Sequence, residues 1–314
     1  MSDDGRWFYR PSDGILFDAT SSTTVDLSSN YPYSGRISGN GNTVVHETQP
    51  SVSYTGISAY DPVTTTEEPI SVTSDEVWPG NGNSWVSGLS TNGRRVLLSS
   101  FATLAPGAPG PSALGYFLRD RDAGTTTLVP VPPDAYAVGL SADGTAAVWV
   151  QNVLPTMGLP YGAARITRYV LSGGATTVSE VPTTFPMVTY DGDASMVIYR
   201  LMEGPGYRLY RLDMAGGTST PIDGLGAGFD GMVQPNAAGT TLAVWSRGRL
   251  RTTDLDGNVI DVVDRAWNGR APNNASSPPV LSSDGTLVAF ASEATNILNP
   301  ATTGYHLYLH RRSV

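Results

Sequence analysis

Short apolar stretches alternate with glycine-bearing polar turns along almost the whole chain. Six segments share one pattern of strand, turn and apolar strand: GRISGNGNTVVHET from Gly35, GLSTNGRRVLLSS from Gly88, GLSADGTAAVWVQ from Gly139, TYDGDASMVIYRL from Thr189, QPNAAGTTLAVWS from Gln234 and VLSSDGTLVAFAS from Val280. Aligned without gaps, the turn position falls on Gly41, Gly93, Gly144, Ala194, Gly239 and Gly285, spaced 52, 51, 50, 45 and 46 residues apart. Asn-Gly and Asp-Gly pairs at three of these turns supply the positive φ that two-residue hairpins require. The residues that follow are rich in Val, Leu, Trp, Phe and Tyr and read as buried strands. Third strands are expected at Tyr116, Ala164, Tyr207, Arg249 and Tyr305, and fourth strands at Thr125, Thr176 and Asn258. A 3.6-residue helical stripe of useful length is missing throughout.

Four short strands every 45–52 residues match the blade of a β-propeller. The predicted fold is all-β: a six-bladed β-propeller of four-stranded antiparallel blades, forming one domain over 1–314. The blades fall at about 34–75, 86–131, 136–181, 186–223, 231–263 and 277–314. The last blade has room for only three strands. TTVDLS (23–28) begins 18 residues before its turn glycine, against 19 for TTTLVPV from Thr125, so it is expected to pair with the C-terminal blade and close the ring. Residues 1–22 are then surplus, with a seventh blade as the alternative.

Composition narrows the chemistry. Gly 35 and Pro 23 in 314 residues exceed the roughly 12 % of average usage, as a chain of many turns requires. Cysteine is absent and all 19 basic residues are arginine, which excludes disulfides, thiolate nucleophiles, Schiff-base lysines and Ser–Lys dyads. The net charge of −9 argues against nucleic acid or an anionic membrane as partner. No apolar run reaches the ~20 residues of a membrane helix, so no membrane span is expected. The opening MSDDGRWFYRPSDG shows no signal-peptide pattern. A cytoplasmic monomer is expected, exported if a leader has been removed.

LSSDGTLVAFASEATNILNPATTGYHLYLHRR and LSTNGRRVLLSSFATLAPGAPGPSALGYFLRDRDAGTTTLV resemble the WD-like repeats of TolB-type β-propellers, with their Ser-x-Asp-Gly turn and Val-Ala-Phe-x-Ser strand. The resemblance runs from about residue 23 to the C-terminus. It implies the fold and leaves function open, since such propellers serve as binding platforms, periplasmic components and enzyme domains.

The inter-blade loops each carry at least one ring: Tyr31 and Tyr33, Trp78 and Trp85, Tyr136, Phe185, Phe229 with Asp230, and Trp267. Together with Asn81, Asn83, Asp134, Arg270 and Asn273 they predict an aromatic, amide-lined funnel for a small molecule, glycan or protein segment. Packing between blades is the competing reading for each ring. Loops between second and third strands add Glu47, Gln151, Arg200, Glu203, Arg247 and Glu293. The alternative function is a propeller enzyme of lyase, lactonase or cyclase type, with Glu47, Asp134, Asp230 or Glu293 as acid or base. His46 sits at a core-type position, and His306 and His310 lie too far apart along one strand to share a metal. No cofactor is expected, calcium at Asp254–Asn258 being the one candidate, for which a strand-linking turn is the simpler explanation. The Pro/Gly/Ala-rich segment Phe101–Leu114 is expected to form a mobile flap.

Overall fold

The computed structural model describes residues 1–27, 35–51, 53–153, 163–182, 187–203, 206–226 and 228–312. Its strands form seven antiparallel sheets among the described residues. Blade 1 comprises Trp7–Arg10, Ile15–Asp18 and Thr23–Asp26. Blades 2 to 6 have four strands each and run from Gly35 to Pro69, Ser84 to Val129, Tyr136 to Val181, Val188 to Pro221 and Gly231 to Val262. Blade 7 comprises Val280–Leu281, Leu287–Ser292 and His306–Arg311. The one helical element described is a 3-10 turn at Asp223–Leu225. No helix among the described residues is long and apolar enough to cross a membrane.

Two expectations are corrected. There are seven blades, not six, because residues 1–27 form a sheet of their own. The segment at 23–28 was expected to complete the C-terminal blade; instead Thr23–Asp26 pairs with Ile15–Asp18, with Ile15 opposite Asp26 and Asp18 opposite Thr23. Its register as a fourth strand was right, but it belongs to the blade that precedes it in the chain. Blade 1 thus holds strands two to four, and blade 7 strands one to three.

The physical reason lies at the very start of the chain. Ser2-Asp3-Asp4-Gly5 is a seventh copy of the turn. In blades 1, 2, 3, 4 and 7 the Ser2, Ser38, Ser90, Ser141 and Ser282 hydroxyls donate to the Asp or Asn two residues on, Asp4, Asn40, Asn92, Asp143 and Asp284. Each of those oxygens also accepts the amide that enters the second strand, from Trp7, Thr43, Arg95, Ala146 and Leu287, at 2.9–3.1 Å. In blades 5 and 6, Asp191 and Asn236 replace the serine and accept from Met196 and Thr241 at 3.1 and 2.9 Å. Gly5 has φ +72°, a conformation glycine adopts without cost; Ala194 holds the same turn at φ +58°. The side chain therefore satisfies backbone donors that a two-residue turn leaves unpaired.

Successive turns are also joined to one another by backbone bonds. Asp3 donates to Gly39 at 2.6 Å, Asn40 to Thr91 at 3.0 Å and Thr91 to Ala142 at 2.6 Å. Gly192 donates to Ala237, and Ala237 to Ser283, at 2.8 Å.

The density of contacts divides the chain into two compact units, Met1–Asn152 with Arg165–Thr177, and Val153–Ala164 with Val178–Val314. In the first, Val45, Ile57, Ile70, Leu98 and Phe117 form a core that extends to Ala102, Leu104 and Ala105. The first half of the expected flap is therefore anchored: burying these side chains holds the segment against blade 3. In the second unit, Val288, Phe290, Leu250 and Tyr308 form one cluster, and Ile198, Leu209, Ile222, Phe229 and Val244 another.

Asp191 tests the turn chemistry. Burial pushes its carboxyl above the usual range, and the neighbouring Asp193 charge adds to this against hydrogen bonds from Met196 and Ser195. Its folded form thus favours the proton, so the contribution to stability is present in acid and is lost as pH rises through the folded value. Asp191→Asn keeps an acceptor for Met196, as Asn236 does in blade 6. The variant should melt roughly 1–3 °C higher at pH 7, and the gain should vanish in acid, as read by thermal unfolding at both ends of that range.

Candidate functional site

In the first unit the candidate residues are largely occupied in holding their own loops. Trp78 is half-buried, and its ring lies 3.3 Å from where a Cβ on Gly80 would stand. Its indole Nε1 is buried without a hydrogen-bond partner among the described residues. Trp85 meets Phe101 edge-on, with ring centroids 5.9 Å apart. Asn83 accepts from the Thr55 amide at 2.9 Å, and Asn81 accepts from the Thr103 amide at 3.2 Å. The Tyr136 hydroxyl donates to Asn152 at 2.9 Å, and Gln151 donates to Asp134 at 3.0 Å. The Asn81 amide thus staples the WPGNGNSW loop to Thr103 at the start of the 101–114 segment, and the Asn83 amide ties it to Thr55.

Glu47 is buried in the second strand of blade 2. Beside it Tyr9 is pushed up to about 12, chiefly by burial and then by the Glu47 charge. His46 is buried as well. Its Nδ1 lies 3.1 Å from the Glu47 carbonyl oxygen, and its Nε2 lies 3.3 Å from Glu67, near enough to feel that carboxylate but not aligned for a hydrogen bond. Burial holds the imidazole below its ordinary value, with Glu67 opposing. Tyr33, with Tyr31 and Phe185, lies outside the described residues.

The second unit carries the exposed candidates. Phe229 is the exception: at 4 % exposure it packs in the core with Ile198, Leu209 and Val244, so the expected ligand-facing ring is a packing residue. Asp230 is exposed, and its backbone carbonyl accepts from Ser246 at 2.9 Å. The Arg200 guanidinium lies 3.9 Å over the Tyr207 ring. Arg247 is exposed at φ +51°, followed by Gly248 at +74°. The pair makes the two-residue turn between the second and third strands of blade 6, with an arginine where Asn, Asp or Gly is favoured.

Trp267 is 59 % exposed, yet the loop that presents it is well held. Its amide donates to the Asn296 carbonyl at 3.1 Å, and Gly269 donates to Ala266 at 2.8 Å. Asn273 and the 295–296 segment exchange three bonds: Asn273 N to Asn296 Oδ1, Asn273 Nδ2 to Thr295 Oγ1, and Thr295 N to Asn273 Oδ1, at 2.8–2.9 Å. Arg270 lies exposed in the same loop, its amide donating to Asn268. Among the expected residues, Trp267, Arg270, Asn273 and Arg247 are those brought to neighbouring positions. Glu293 stands nearby, accepting from Asn274 at 3.5 Å.

Three further positions have plain structural partners. Asp254 accepts from the amides of Asp256 and Asn258 and from the Asn258 side chain at 2.8–3.0 Å, and the Asn258 bonds hold its carboxyl below the usual range. The Asp254–Asn258 run is thus a self-satisfied turn. His310 faces Asp261 at 2.6 Å, while His306 faces the Thr303 carbonyl at 2.9 Å. Among the described residues no group of three or more His, Asp or Glu side chains gathers to hold a metal ion.

No protein-family model matches the chain, and no curated protein matches it in sequence. Solved structures do match in shape. An oligogalacturonate lyase in complex with manganese aligns with a TM-score of 0.61 at 13 % identity, over 99 % of this chain and 87 % of that one. The β-propeller domain of the trilobed protease from Pyrococcus furiosus aligns with a TM-score of 0.61 at 10 % identity, over 94 % and 86 %. This chain is a β-propeller. TolB from Acinetobacter baumannii is looser, with a TM-score of 0.49 at 17 % identity, over 81 % of this chain and 61 % of that one; this chain spans less than two thirds of its length. At these identities the propellers share the fold, and function rests on the site.

Sequence reasoning missed Arg249, Arg251 and Arg265, which stand with Arg247 and Arg270 around one groove. A signal was present: Arg247, Arg249 and Arg251 alternate in RGRLRTT, and Arg249 and Arg251, as alternate residues of a strand, share a face.

The buried and the exposed ring separate on stability. Phe229→Ala should cost about 3–5 kcal/mol, as loss of a buried ring does. Trp267→Ala should stay within about 0.5 kcal/mol, as exposed positions do. Urea unfolding of both variants measures this.

Proposed function

We propose that this propeller is a ligand-binding module whose principal contact surface is the 266–273 loop of the second unit. The observation that carries the reading is Trp267: a large ring, 59 % exposed, on a loop whose hydrogen bonds to residues 295–296 fix it in place. Exposing an indole costs favourable burial, and a fixed ring loses little conformational entropy when a ligand stacks on it. The backbone and side-chain amides around it suit a ligand that presents a flat apolar face edged by hydroxyls, the chemistry of a sugar ring. The first unit supports this choice by contrast, since Trp85 and the Asn81 and Asn83 amides are engaged within their own loops.

The carboxylates of the catalytic alternative are variously placed. Glu47 is buried in a strand, and Asp134 accepts from Gln151. We therefore read the chain as a binding protein.

Titration of a panel of neutral oligosaccharides, followed by tryptophan fluorescence and calorimetry, tests the reading. At least one should bind and shift the emission. Trp267→Ala should weaken that binding by roughly 10-fold or more, in keeping with stacking contacts of about 1–3 kcal/mol, while Trp78→Ala leaves it unchanged. Binding that survives Trp267→Ala, or no binding across the panel, overturns it.

A further inference from the structure

Five of the 19 arginines of this chain, Arg247, Arg249, Arg251, Arg265 and Arg270, line one groove of about 580 Å³ in blade 6 and the loop that follows it. The arrangement runs against the overall charge of −9. Arg247 heads the hairpin turn, and Arg249 and Arg251 lie two apart on the third strand, Ser246 opposite Arg249 and Val244 opposite Arg251. That spacing separates their Cα atoms by about 7 Å along one face.

Among the described residues none of the five is paired with a carboxylate. Arg249 donates to the carbonyls of Pro272 and Asn274 at 3.0 and 3.3 Å, which orients its guanidinium without neutralising it. The one carboxylate in the lining, Asp264, is 1 % exposed and accepts from the Ser276 hydroxyl at 3.0 Å.

The frame is rigid. Ser276 donates to the Gly248 carbonyl at 2.9 Å, and a Cβ on Gly248 would stand 2.7 Å from that of Ala275. Arg247 is held in the left-handed region at φ +51°, a conformation that costs free energy for a residue with a Cβ and gathers at functional positions. Like charges crowded on a braced frame repel one another, and the repulsion is relieved when an anion enters.

We infer that this groove binds a small oxyanion bearing two or more negative groups, phosphate or carboxylate, through the planar forks of its arginines. Guanidinium groups match both anions bidentately, and spacing of several ångströms favours a multivalent ligand over a single group. The inference goes beyond the Trp267 reading and stands on different side chains.

The test uses the full chain at low salt, with inorganic tripolyphosphate, citrate and inorganic phosphate as separate calorimetric probes. Tripolyphosphate or citrate should bind at one site, more tightly than phosphate, and weaken steeply with added salt. The preference between them assigns the phosphate or the carboxylate source. Arg247→Gln, Arg251→Gln and Arg265→Gln should each weaken binding by about tenfold, the effect of one charge-assisted contact. Among the described residues none of the three has a side-chain partner to lose, and each removal relieves like-charge repulsion, so none should melt below the parent. Arg36→Gln, on an exposed arginine of blade 2, should leave the affinity unchanged. No binding, equal loss in Arg36→Gln, or tighter capture of a duplex DNA or RNA oligonucleotide through the same arginines would each overturn the inference.

Discussion

The architecture depends on one local interaction: a short polar side chain, serine in five blades, accepting the amide that enters the second strand while the turn residue beyond it takes positive φ. The oxygen-to-amide distance stays at 2.9–3.1 Å in all seven copies. Without it, each hairpin leaves a buried donor unpaired, at a cost of about 1–3 kcal/mol. The glycines pack where nothing larger fits. A Cβ on Gly144 would stand 2.9 Å from the Ser90 Cβ, and one on Gly93 only 2.3 Å from the Thr43 hydroxyl. Each turn therefore positions its own strand, and those of blades 1, 2, 3, 5 and 6 also receive the glycine of the next.

This explains which parts of the fold were legible in the amino-acid pattern. Six turns stood out because each lies between two apolar strands. Ser2–Gly5 carries the same chemistry, but the only apolar strand that marks it in this sequence is the one that follows, Trp7–Arg10. The position of Thr23–Asp26 within a blade was legible from its distance to Gly41. Its partner was not, because hydrogen-bonding register is periodic and identical in every blade. Which sheet a strand joins is decided by the hairpin that brings it there, here the 19–22 turn, where the Thr20 amide donates to the Asp18 side chain at 2.8 Å and Ser22 takes φ +57°.

The site was legible in kind and not in detail. An aromatic in a loop satisfies the pattern whether it faces solvent or core. Phe229 turned inward against Leu209 and Val244, whereas Trp267 is left out by a loop whose own amides close on residues 295–296. The amides of the WPGNGNSW loop looked like ligand contacts and prove to be staples, since short loops must satisfy their own backbone first. The arginines were overlooked because strands scatter charge through the sequence. Only the hairpin at Arg247-Gly248 and the return of residues 264–272 bring the five together.

Native-state amide hydrogen exchange tests the seven-turn account most directly. The amides of Trp7, Thr43, Arg95, Ala146, Met196, Thr241 and Leu287 all donate to the turn side chain. The account predicts that Trp7 is protected to a degree comparable with the other six, and that Ser2→Ala selectively releases it. Exchange of the Trp7 amide at the rate of an unstructured peptide, with the other six protected, would contradict it.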